Sequence, residues 1–145
     1  MINMTLDEFV REAKSNTFAA GNISLDKNVF SCRYEKEEYL YEDRYVGQES
    51  FAGQEIIFKN GVPVRSMVYS GVELEPLGPA GRKFLQTCLK IGAEQGCFRG
   101  PARMAINDYE YSFIVSPDKT CEELICYKHK VIFSCDFIVN TEIKG

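Results

Sequence analysis

The chain has 145 residues, 45% of them hydrophobic and 26% charged, with a formal net charge of −4. That suits one domain over residues 1–145 with a core that stands without staples, whereas two domains would each be marginal. No apolar run approaches the ~20 residues that a bilayer-spanning helix needs, and no basic-then-apolar leader opens the chain, so a cytoplasmic location without membrane contact is expected; Lys and Arg are dispersed, which argues against direct nucleic-acid binding.

Thr5-Leu-Asp-Glu8 reads as a capping box, and Leu6, Phe9, Val10 and Ala13 follow at helical spacing, predicting a helix over about 6–14. Residues 16–28 show little periodicity and are expected to form a loop. Two alternating, aromatic-rich segments, 30–34 and 39–46, are expected strands. Residues 54–59 and 62–70 flank Asn60-Gly61, a type I′ hairpin turn by its demand for positive φ at both central positions. From that turn a regular ladder pairs Ile56 with Arg65, Phe58 with Pro63, Gln54 with Met67, Ile57 with Val64 and Glu55 with Ser66.

A second helix is expected from Gly78 to about Ile91, with Phe84, Leu85, Cys88 and Leu89 as its apolar stripe and Gly92 as its stop. After a turn at Arg99-Gly100-Pro101, residues 108–115 alternate as a half-buried strand. A turn at 116–119 and a hairpin over about 122–139, turning at Lys128-His129, complete the chain. In that hairpin Cys126 is expected opposite Val131, Cys135 opposite Glu122 and Glu123 opposite Ser134. No cysteine then faces another there, and the six cysteines are read as reduced.

The two hairpins echo each other. Glu55–Tyr69 aligns without gaps on Glu123–Phe137 at a constant offset of 68 residues, which upstream lays Tyr41 on Tyr109 and Tyr45 on Phe113. The expected architecture is therefore α+β, a mainly antiparallel sheet built from two pseudo-repeats (about 5–71 and 79–139, each helix, strand, hairpin), with two helices packed on one face. Ile56, Phe58, Met67 and Tyr69 form the expected core face of the first hairpin, and Leu124, Cys126, Val131, Phe133, Cys135, Phe137 and Val139 that of the second.

Within this frame Arg65 is the anomaly, since its counterpart is Phe133. A guanidinium on an apolar face must meet a carboxylate or reach water: it is either an anion-binding residue among Tyr41, Tyr69 and other aromatics, or a sheet-margin side chain that snorkels or pairs with Asp43. Glu55 and Glu123, related by the repeat, are either close enough to hold a cation or share a proton, or are two separate solvated side chains. The strand tyrosines, Tyr109 among them, are cleft-lining or core residues with wet tips. There is no nucleophile elbow, phosphate-binding Gly-rich loop or His-Glu-x-x-His motif, no zinc-type Cys/His spacing, and one histidine, His129, at a turn. No metal and no cofactor are expected.

Thr17-Phe-Ala-Ala-Gly21, Tyr39–Tyr45, Phe51-Ala-Gly-Gln-Glu55, Asn60–Val64 with Met67 and Tyr69-Ser-Gly71, and Arg99-Gly-Pro101 with Tyr109-Glu-Tyr111 occur in that order. Together they resemble an uncharacterised bacterial domain of unknown function, number 5680, over almost the whole chain. The resemblance implies a domain found alone or behind helix-turn-helix modules of transcription regulators, hence a sensing or interaction role; DNA binding is not carried over, because this chain shows the domain without the module. It implies no catalytic residues. The chain departs from the family pattern at Arg65, where an aromatic is usual, and at Met67–Gly71, which puts shared pocket chemistry at this hairpin in doubt.

The expected function is a non-enzymatic domain that binds a small molecule or protein partner, with Arg65, Tyr41, Tyr69, Tyr109, Glu55 and Glu123 as candidate ligand-binding residues. One alternative is a small enzyme using Glu55 or Glu123 as acid or base; another is an interaction protein whose sheet face pairs two copies as a homodimer.

Overall fold

A computed structural model describes residues 4–97, 99–117 and 120–145. Its frame is one antiparallel sheet in the order β1-β2-β3-β4-β5-β9-β8-β7-β6. The strands are β1 (Ser24–Asp26), β2 (Val29–Lys36), β3 (Tyr39–Gly47), β4 (Ser50–Lys59), β5 (Val62–Glu73), β6 (Arg103–Ile106), β7 (Tyr109–Val115), β8 (Thr120–Tyr127) and β9 (Lys130–Asn140). Helices α1 (Leu6–Asn16) and α2 (Gly78–Glu94) lie against one face, with a 3₁₀ turn at Phe18–Ala20 between α1 and the sheet. The α+β class and the antiparallel sheet are as expected, but β1, β6 and the 3₁₀ turn are additions. The expected loop over residues 16–28 contains the 3₁₀ turn and β1, both too short for periodicity to mark. The expected turn at residues 116–119 falls partly on 118 and 119, outside the described residues.

Local chemistry accounts for the helices. The capping box of α1 closes both ways: Glu8 N–H donates to Thr5 Oγ1 at 3.2 Å and Thr5 N–H to the Glu8 carboxylate at 3.0 Å. Phe9, Val10 and Ala13 are buried against Cys32, Tyr39, Tyr41 and Ile57, each large side chain contributing about 1.5–3 kcal/mol of transfer free energy. Helix α2 covers the other half of the sheet, packing Phe84, Leu85, Cys88 and Leu89 toward Tyr111, Ile125, Phe133 and Phe137.

Gly92 does not stop α2, which runs on to Glu94. It is a contact residue instead: a Cβ there would stand 1.9 Å from the Arg99 carbonyl oxygen. The missing side chain lets the chain after the helix fold back onto it, and this return places Arg99 over the sheet.

Both hairpins turn where expected, with positive φ at Asn60 and Gly61 (50° and 79°) and at Lys128 and His129 (49° and 67°). Their registers differ from a regular ladder beyond the first pairs. Phe58 faces Pro63 and Cys126 faces Val131, as expected, but a bulge follows each, between Ile57 and Phe58 and between Ile125 and Cys126. Each bulge inserts one residue, Val64 or Ile132, and shifts all later pairs. Arg65 therefore faces Ile57 rather than Ile56, and Glu55 faces Met67 rather than Ser66. Gln54 pairs with Val68, and Val64 has no partner. In the second hairpin Glu123 faces Cys135, Leu124 faces Ser134 and Glu122 faces Asp136.

The shift also exchanges the inward sides of β4 and β8. Glu55 and Ile57, then Cys121, Glu123 and Ile125, are buried; Ile56, Phe58, Leu124 and Cys126 are half-buried, and Val131 is exposed. Met67, Phe133, Cys135, Phe137 and Val139 are in the core as expected. All six cysteines are free, four of them buried. No helix among the described residues is long and apolar enough to cross a membrane.

Candidate functional site

The centre of the covered face holds charge where the alternation rule places apolar side chains. Asp43 on β3 pairs across the ladder with Glu55 on β4, and the two are 7% and 5% exposed. Glu123 on β8 is fully buried. Each acid has partners that stand far off in sequence. Tyr41 donates to Glu55 Oε2 at 2.7 Å, and Lys14 Nζ from α1 lies 3.7 Å from Oε1. Tyr69 on β5 donates to Asp43 Oδ1 at 2.6 Å. Arg99 grips Glu123 with two bonds, Nε to Oε2 at 3.2 Å and Nη2 to Oε1 at 3.1 Å. Tyr111 also donates to Glu123, and its hydroxyl accepts the Gly100 N–H at 2.9 Å.

These groups perturb one another in consistent directions. Burial, helped by the Glu55 charge, pushes the Asp43 carboxyl up to about 7 against the Tyr69 hydrogen bond and the fields of Arg99 and Lys14. Burial raises the Tyr69, Tyr41 and Tyr111 hydroxyls, and the neighbouring carboxylates raise them further, so all three act as neutral donors. For Arg99, burial works to lower the affinity for its proton, but the charge and hydrogen bonds of Glu123, together with Tyr111 and Cys135, more than reverse this. Lys14 is drawn below its ordinary value by burial despite Glu55. Burial, then Asp43 and Glu55, push the Cys32 thiol to about 12.

Against this cluster opens a cavity of about 500 Å³ between β2–β5, the first turns of α2 and the 3₁₀ turn. Phe18, Phe30, Tyr45, Phe51, Phe133, Leu77 and Leu85 supply apolar wall, while Asp43, Tyr69, Arg99, Gln86 and the Arg82–Glu73 ion pair (3.1 Å) supply polar groups. Behind Asp43 a small recess of about 20 Å³ is lined by Lys14, Thr17, Tyr41 and Glu55 as well as Asp43 and Arg99. A 500 Å³ concave site with few converging polar groups is of ligand-binding size. Asp43, whose affinity lies near neutrality, can take or release a proton there.

The candidate residues read from sequence fall in different places. Tyr69 walls the large cavity, and Tyr41 and Glu55 line the recess. Glu123 is one step removed, reaching the cavity only through Arg99. Tyr109 packs between Phe84 (5.2 Å) and Tyr127 (4.8 Å) and lines neither space. Arg65 also lines neither; it pairs with Asp7 at 3.1 Å rather than with Asp43. Glu55 and Glu123 are not solvated, because the bulges turn both inward.

Asp43, Arg99 and Lys14 were not singled out as site residues. Asp43 carried a usable signal, an acid between Tyr41 and Tyr45 on one strand face. Arg99 and Lys14 carried none, since their roles depend on chain reversals. A protein-family model described as "Domain of unknown function (DUF5680)" matches residues 43–141. No curated protein and no solved structure matches the chain.

Proposed function

The chain belongs to the DUF5680 family, and we propose that its role is the one the cavity supports: a binding domain that encloses a small, largely apolar molecule beneath α2, with Asp43, Tyr69 and Arg99 fixing the polar end. The observation that carries this reading is the convergence of three polar side chains, Asp43 buried and Tyr69 and Arg99 half-buried, on an apolar space of about 500 Å³. The domain acts as a sensor-type module of a bacterial cytoplasm, and the two halves are pseudo-repeats. In support of the repeat, both bulges recur at the 68-residue offset, Tyr69 pairs with its own counterpart Phe137 between β5 and β9, and Tyr41 and Tyr111 stand opposite the equivalent Ile57 and Ile125. By this pairing the equivalent of Tyr41 is Tyr111, two residues beyond Tyr109.

A thermal-shift screen of small amphipathic compounds against wild type and Gln48→Trp tests the binding role. Gln48 is an exposed residue at the cavity wall, so an indole there obstructs the entrance without touching the core. Compounds that stabilise wild type but not the variant support the reading; equal stabilisation of both overturns it. A second reading, a small enzyme, is favoured by one observation, the near-neutral Asp43 carboxyl at the cavity. Recovery of the bound compound unchanged after long incubation separates binding from turnover. Pairing of two copies through the uncovered face, where Val68, Val72 and Ile138 are exposed, is tested by solution mass against concentration.

A further inference from the structure

The charges around the cavity do not balance. Arg82 is held by Glu73 and Arg99 by Glu123, each at 3.1 Å, and Lys14 lies beside Glu55. Asp43, by contrast, is in no salt bridge among the described residues and accepts one side-chain hydrogen bond, from the neutral Tyr69 hydroxyl. It is 7% exposed and belongs to the wall of both spaces. Aromatic rings share the cavity wall with it: Phe30 stacks on Tyr45 with centroids 5.0 Å apart, and Phe51 lies 6.3 Å from Tyr69. A carboxylate outside any salt bridge, its neighbouring cations Lys14 and Arg99 engaged by Glu55 and Glu123, in a wall shared with aromatic rings, is complementary to a positive charge on an apolar body, because ring faces attract cations by about 0.5–2 kcal/mol each. An anion would instead have to displace a carboxylate already bound to Arg82 or Arg99.

We propose that the cavity takes an amphipathic organic cation, its ammonium group against the Asp43 carboxylate and its apolar body among Phe30, Tyr45, Phe51 and Tyr69. This rests on the cavity being the binding site and adds the charge class of the ligand. Binding is coupled to one proton. In the free protein the Asp43 carboxyl keeps its proton up to about pH 7; the incoming ammonium replaces it, and the proton passes to solvent. The titratable groups facing Asp43 are Glu55 on β4, Tyr69 on β5, Lys14 on α1, Arg99 after α2, Cys32 on β2 and Tyr41 and Tyr45 on its own strand; burial first, then Glu55, Tyr69, Arg99 and Lys14, set its affinity. Among them Glu55 strengthens proton binding, and Tyr69, Arg99 and Lys14 weaken it.

The experiment is calorimetric titration of the whole chain with two matched series, octylamine, octanol and octanoate, and phenethylamine, phenethyl alcohol and phenylacetate, in buffers of different ionisation enthalpy. At about pH 8 the amine of at least one series binds on the order of tenfold more tightly than its alcohol, and the acid most weakly. From about pH 8 to about pH 6 amine affinity falls roughly tenfold, because Asp43 is then mostly protonated, and binding at the lower pH releases nearly one proton. Asp43→Asn abolishes both the amine preference and the proton release while keeping an acceptor for Tyr69. Alcohol and acid binding as tightly as the amine, or amine binding without proton release at about pH 6, overturns the charge assignment but leaves the cavity reading standing. Binding of none of the six compounds overturns the cavity reading itself.

Discussion

Tyr69 reaches Asp43 by crossing over Gly53. The two residues sit on β5 and β3, with β4 between them, and the register places Gly53 between Tyr45 and Tyr69. A Cβ at Gly53 would lie 2.6 Å from the Tyr69 hydroxyl, 2.6 Å from the Arg44 carbonyl oxygen and 2.5 Å from Tyr45 Cβ. The absent side chain is the passage through which a hydroxyl on one strand bonds a carboxyl two strands away. Gly53→Ala is therefore predicted to destabilise the fold by about 1–3 kcal/mol, the usual range for overpacking. Urea unfolding measures this, and an unchanged midpoint would be inconsistent with the crossing.

Removing the hydroxyl alone isolates the bond. In Tyr69→Phe the Asp43 carboxyl loses its donor, and because that donor lowers the affinity for a proton, titration of Asp43 followed by carboxyl-carbon NMR is predicted to move upward by roughly one unit. A downward shift would contradict the assigned bond.

Asp43 also predicts a pH-dependent stability difference. Its folded value is about 7 against an ordinary 3.8, so between these the unfolded chain binds fewer protons than the folded one, and stability falls as pH rises. Asp43→Asn removes that loss. Its stability advantage over wild type is predicted to be small near pH 4 and to grow toward pH 7, with an upper bound of roughly 4 kcal/mol. Denaturant melts across that range check it; a constant difference would contradict it.

Glu123 is fully buried beneath Arg99. Arg99→Met leaves that carboxylate without its cation and is predicted to cost about 3–5 kcal/mol. Adding Glu123→Leu should restore part of the loss, a coupling of at least about 1 kcal/mol in a double-mutant cycle. Additive effects would show that the pair is not an energetic unit.

Arg65 is predicted to be a bystander. Its partner Asp7 is 81% exposed at the side chain, and its own Nε is buried without a hydrogen bond among the described residues. Arg65→Met keeps the apolar stem, so stability should change by less than about 1 kcal/mol, and ligand-induced thermal shifts should equal those of wild type. A lost ligand shift would return Arg65 to the site.

The two helices, the longer strands and the hairpin turns were legible in the sequence because their signals are local: a capping box, an Asn-Gly dipeptide, alternating aromatics; β1, β6 and the 3₁₀ turn were too short to mark. The registers beyond the turns were not, because one residue inserted at Val64 and one at Ile132 shift every later pair and exchange the inward sides of β4 and β8, and neither has a turn-type composition. This is why Glu55 was assigned to the wrong side of its strand. Alternation treats an acid as outward-facing; here Lys14 and Tyr41 make it tolerable inside, and Lys14 arrives from a helix 41 residues earlier in the chain. Tyr69 was found because it is aromatic on a core face. Arg99 was read only as part of a turn, since its position depends on the close return of the chain over Gly92.

The central claim is that the cavity beneath α2 is the binding site, and amide chemical-shift mapping with octanol and with phenethyl alcohol, neutral probes independent of the Asp43 charge, tests it most directly. The predicted result is saturable shifts concentrated at Asp43, Phe51, Tyr69, Leu85 and Gln86. Shifts confined to the uncovered face around Val68 and Ile138, or no saturable shifts at all, would contradict it.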